Sequence, residues 1–88
     1  MELKIDGNLI KSQDALYAAI KEQISLPNHF GNNLDALWDA LTEINSGITI
    51  IINNKVKLKE NLGEYGDKLI KLFHDLINEN NAHKLLIK

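Results

Sequence analysis

The sequence predicts a small two-layer α/β domain, a three-stranded parallel sheet packed against helices. Three observations carry that reading. Strand-like segments near the start, middle and end of the chain are separated by segments with the 3.6-residue period of amphipathic helices. The middle one, Ile48-Thr49-Ile50-Ile51-Ile52, is β-branched throughout and apolar at four of five positions, which is the composition of a parallel-sheet strand covered on both faces. Strands separated by helices also favour parallel pairing through right-handed crossovers. At 88 residues, with 44% hydrophobic and 25% charged side chains, the chain is expected to be one globular domain spanning 1–88.

The elements follow in order. Leu3 and Ile5 alternate as in a strand, and Asp6-Gly7-Asn8 is turn chemistry. Ser12 is an N-cap candidate with Asp14 in the first turn, and Leu16, Ile20 and Ile24 recur every four residues until Pro27 forbids further helix. Residues 28–33 are loop-like, Asn33 is the expected cap of a second helix, and Leu34, Leu37, Trp38 and Leu41 mark its apolar face. Asn45-Ser46-Gly47 separates that helix from the middle strand. Residues 53–62 alternate lysine with Val56 and Leu58, a pattern that fits an edge strand, a short helix or an exposed loop equally well. From Glu64 to Ile77 the helical period returns, Asn78 to Asn81 end it, and His83 to Lys88 form a last strand. Three strands can leave one sheet face open, so an additional loop or short helix is expected to shield the second face of the apolar middle strand.

Charge and composition exclude several functions. Ten lysines and twelve acidic residues give a net charge of -2, with no arginine, against binding to nucleic acid or anionic membranes. No cysteine is present, which removes disulfides and thiolate chemistry and fits the cytoplasm. The charged, alternating start is unlike a signal peptide, and the longest apolar run is too short to cross a bilayer. His29, His74 and His83 are scattered without metal-ligand spacing, so no metal or other cofactor is expected. Catalytic carboxylates need a cleft to shift their pKa and a chain of this length has little room for one, so the protein is read as a non-enzyme.

The remaining anomaly is where the charge lies. Residues 23–54 contain no lysine and carry -3, whereas the rest of the chain carries +1. At 100° per residue Asp35, Asp39, Thr42 and Glu43 form a stripe on the second helix opposite Leu37 and Leu41. A plain solvated face is one explanation. Yet like charges at i, i+4 destabilise a helix by roughly 0.2–0.5 kcal/mol per pair, and Asp39 has no cation three or four residues away. A placement unfavourable to folding and without evident structural gain is a reason to suspect function.

Leu26-Pro27, Phe30-Gly31 and the string Asn33-Leu34-Asp35-Ala36-Leu37-Trp38-Asp39 with Leu41 after it resemble the barstar family of ribonuclease inhibitors, and the order of elements agrees along the whole chain. The resemblance implies a cytoplasmic antitoxin that plugs the active site of a basic, secreted, barnase-like ribonuclease. Its second helix and the preceding loop would enter the nuclease groove, with Asp35 and Asp39 standing in for RNA phosphates and Asp39 as anchor. By position His29 takes the place of a stacking aromatic, Phe30 and Gly31 belong to the loop, and Asn33 and Trp38 border the contact, Trp38 being equally readable as a half-buried structural residue. Thr42 and Glu43 extend the ridge, and Asp75 and Glu79 fall on the family's acidic contact positions of the last helix, where Lys68 and Lys71 could instead hold them in local ion pairs. The free chain is expected to be a monomer. Two features depart from the family: His29 can gain a positive charge near pH 6.5 or below, and Lys55, Lys57, Lys59, Lys68 and Lys71 would repel a basic nuclease if they faced it. A binding module on the same fold, with a partner other than a ribonuclease, is the alternative.

Overall fold

The computed structural model describes residues 1–27, 30–44 and 46–88. Strand β1 (Glu2–Asp6) ends in a turn built by the Asp6 carboxylate, which accepts from the Asn8 amide at 2.9 Å and the Asn54 side chain at 2.8 Å. Gly7 is required there, because a Cβ would collide with the Asn54 carbonyl and the Leu58 amide. Helix α1 (Gln13–Gln23) is capped by Ser12, whose Oγ accepts from Ala15 N at 3.1 Å, and it buries Leu16, Tyr17 and Ile20. Helix α2 (Leu34–Thr42) is capped in the same way by Asn33.

Strand β2 (Thr49–Asn53) lies between β1 and β3 (Lys84–Ile87), parallel to both. The segment left open by its sequence is helix α3 (Lys55–Leu62), entered through Asn54 at φ 58° and left through Gly63 at φ 61° into helix α4 (Glu64–Glu79). Leu58 is its one fully buried anchor, while Lys57 and Lys59 point outward to Glu60 at 3.4 Å and Asp67 at 3.1 Å. His83 is buried, and its Nδ1 accepts from Ile48 N–H at 3.1 Å, which ties the start of β3 to that of β2.

The register places Leu3, Ile50 and Leu85 in one row and Ile5, Ile52 and Ile87 in the next, facing the helices and one continuous core that includes Leu37, Leu41, Leu69 and Phe73. The middle strand is therefore covered on one face only, contrary to the reading of its sequence, and among the described residues neither a loop nor α3 shields the other. Ile50 and Ile52 are fully buried, Ile51 is half-exposed and Leu86 is 47% exposed. The cause is topological. In a sheet of order β1-β2-β3 both crossovers advance in the same direction, so crossovers of the same hand place all their helices on one side.

Candidate functional site

Leu37 and Leu41 lock α2 onto the core, which fixes the rest of its surface by the helical period. Asp35, Asp39, Thr42 and Glu43 are exposed, while Ala36 and Ala40 are half-buried beside them. The acidic stripe expected from the spacing is thus present as a surface. Among the described residues none of Asp35, Asp39 and Glu43 has a cation within ion-pair distance, in contrast to Glu60, Asp67 and Asp75, each of which is matched by a lysine. Asp35 lies in the first turn, where the helix dipole favours an anion. Asp39 lies beyond it, and its backbone carbonyl accepts the Thr42 hydroxyl at 3.1 Å, which turns Thr42 inward to its own helix.

The end of the preceding loop is braced from α1. The Phe30 amide donates to the Pro27 carbonyl at 3.0 Å, and its ring lies against Tyr17 with centroids 5.9 Å apart and 56° between the planes. Lys21 Nζ sits 5.8 Å from the centre of the same ring, within cation–π range. Tyr17 and Tyr65 share a hydroxyl–hydroxyl hydrogen bond that joins α1 to α4, and burial first, then that bond, pushes the Tyr17 phenol well above its usual range. Asn33 completes the loop by donating to the Gly31 carbonyl at 3.1 Å. This bracing had no signature in the sequence, since Tyr17 and Tyr65 are 48 residues apart.

Two concavities flank the stripe. One, of about 400 Å³, lies between Pro27, Phe30 and Gly31 on the loop side and Ala36, Asp39, Ala40 and Glu43 on the helix. The other, of about 250 Å³, is the cleft between α2 and α4, where Leu34, Trp38 and Leu72 lie beside Asp35, Lys68, Lys71 and Asp75. The site therefore unites Phe30, Gly31, Asn33, Asp35, Trp38, Asp39 and Glu43 around α2, and brings Asp75 to the second cleft. Trp38 is half-buried there and serves both packing and lining. Asp75 is not a free carboxylate, because Lys71 one turn earlier holds it at 3.0 Å. Glu79 is exposed at the last position of α4 and lines neither concavity. His29 lies outside the described residues. Lys68 and Lys71 were missed as lining residues, although Lys68, Lys71, Leu72 and Asp75 fall at i, i+3, i+4 and i+7 and so share one face of α4.

An exposed acidic helix face, without a cation in ion-pair distance among the described residues, thus lies beside a braced loop. Among the described residues no group of three potential metal ligands is assembled, and no helix is long and apolar enough to cross a membrane. The sequence profile of the family described as Barstar (barnase inhibitor) matches residues 1–87, and the chain belongs to that family. It is also 29% identical over 86 residues to a Bacillus subtilis (strain 168) protein named "Putative ribonuclease inhibitor YrdF", an alignment covering 96% of this chain and 94% of that one. The resemblance drawn from the Asn33–Asp39 string, and the parallel three-stranded fold that it implies, are borne out.

Proposed function

We propose that this protein inhibits a small basic ribonuclease of the barnase type, in the cytoplasm and as a monomer when free, by seating α2 and the loop before it in the nuclease's RNA groove. The observation that carries the reading is the set of three carboxylates, Asp35, Asp39 and the C-cap Glu43, exposed at four-residue intervals along α2 and left without a cation among the described residues. Asp35 and Asp39 are spaced one helical turn apart, so both carboxylates project toward one surface. There they replace RNA phosphates against the nuclease's cationic side chains. Asp39 is the anchor, since it lies on the ridge and also lines the concavity next to Phe30 and Gly31. Glu43 lines the same concavity, and with the two aspartates it sets up a one-signed field that speeds encounter, a behaviour for which barnase and its inhibitor are the standard example. The protein acts by occupancy and carries out no chemistry of its own.

Occlusion of the phosphate-binding groove predicts competition. With barnase as the nuclease and a guanosine monophosphate as its active-site ligand, the apparent Kd of this protein should rise linearly with nucleotide concentration, doubling where the nucleotide half-saturates the free nuclease. A Kd that stays constant as the nucleotide saturates the groove would place the contact elsewhere, as expected of a binding module that uses the same fold for another partner.

A further inference from the structure

The α2–α4 cleft has a charge pattern that a uniformly basic partner does not satisfy. Asp35 lines it from α2, but Lys68 and Lys71 line it from α4, so these two of the five lysines that could repel a nuclease face the recognition surface. Lys71 is held by Asp75. Lys68 is exposed and makes no ion pair among the described residues, and it also lines the adjoining concavity next to Asn32, Asn33 and Asp35. A nuclease that covers Asp35 therefore comes down on Lys68 as well. Its burial against a second cation would leave a desolvated charge unmatched, whereas a carboxylate there would form a hydrogen-bonded pair.

We propose that Lys68 is a specificity-determining residue, selecting a ribonuclease that presents a carboxylate at the rim of its basic groove, opposite α4, and disfavouring one that is basic all round. The cleft suits such a contact, since the apolar side chains of Leu34, Trp38 and Leu72 lie beside the lysine and exclude water from the pair. This inference rests on the inhibitor reading above and names the kind of nuclease the same surface fits.

The test uses the full chain and barnase as the probe, with Kd obtained from residual RNA cleavage at low salt. Lys68→Gln is expected to bind barnase about threefold more tightly than the wild type and Lys68→Glu about tenfold more tightly. Lys84→Glu makes the same change in net charge on the open face of the sheet, and it is expected to shift Kd less than about threefold. A second arm changes each Lys and Arg around the barnase groove singly to Glu. One of these variants should gain affinity for the wild-type inhibitor and not for Lys68→Gln. A Lys68→Glu effect no larger than that of Lys84→Glu, or no barnase variant whose gain depends on Lys68, overturns the proposal. If Asp39→Ala still weakens inhibition in that case, the inhibitor reading stands and only the role of Lys68 is lost. Failure of wild type and all variants alike to bind barnase would remove both.

Discussion

Asp39 and Asp6 show what the same side chain does in two settings. Asp6 works for the fold: the Asn54 side chain first, and the Asn8 amide second, hold its carboxyl below the ordinary value of 3.8. A carboxylate with a lowered folded-state pKa stabilises the protein fully above its unfolded value and loses that contribution as the pH falls through the folded one. Asp6→Asn keeps an acceptor but removes the charge. Its stability deficit, measured by urea unfolding, should be constant near neutrality and shrink as the pH drops below 3.8; a deficit independent of pH would show that the charge contributes nothing. Among the described residues Asp39 has no such partner. Its exposed, unpaired placement was legible because the cost was visible in one dimension, as an acid with acids at i-4 and i+4 and no cation three or four residues away. Lys68 was less legible because its meaning depends on α4 packing against α2, a contact between residues more than twenty-five apart in sequence.

Among the elements, the caps and amphipathic periods were read correctly from short-range chemistry. Ser12 and Asn33 both accept from the backbone three residues on. Asn33→Ala should lower stability by about 1 kcal/mol through loss of this cap, with Asn33→Asp recovering part of it, since it supplies the acceptor and a charge at the N-terminus but cannot donate to the Gly31 carbonyl. Measured unfolding free energies decide this. No change on Asn33→Ala would mean that the 2.8 Å bond to Ala36 contributes nothing net. Helix α3 was not legible, because Lys55-Val56-Lys57-Leu58-Lys59 alternates like a strand. Only tertiary structure resolves it: Val56 is 71% exposed, so its side chain carries no periodic signal, and Leu58 alone is buried. The αL entry at Asn54 and the positive φ at Gly63 then set the two ends.

On the scale of the whole molecule, the sequence revealed the parallel sheet but not its exposure. A run of isoleucines reads as a doubly covered strand, yet Ile51 pairs in register with Lys4 on one side and Leu86 on the other, on the face that the helices leave open. The β1 edge is occupied instead by a side chain: the Gln23 amide accepts from Lys4 N at 2.7 Å and donates to Lys4 O at 2.8 Å, filling the place of a neighbouring strand. The β3 edge is four residues long with lysine at its start and just beyond its end, two features that discourage pairing between copies. The proposed inhibition uses the helical side instead, where α2 is anchored by its apolar stripe and its carboxylates have no cation among the described residues. The most direct test of that claim is a titration of this protein into a fixed amount of barnase, following RNA cleavage, beside the Asp35→Ala/Asp39→Ala double variant, whose fold is verified by circular dichroism. The account predicts loss of activity that reaches completion at one inhibitor per nuclease, and at least a hundredfold weaker inhibition by the folded double variant, about 2.7 kcal/mol. Equal inhibition by the two proteins, or none by the wild type, would contradict it.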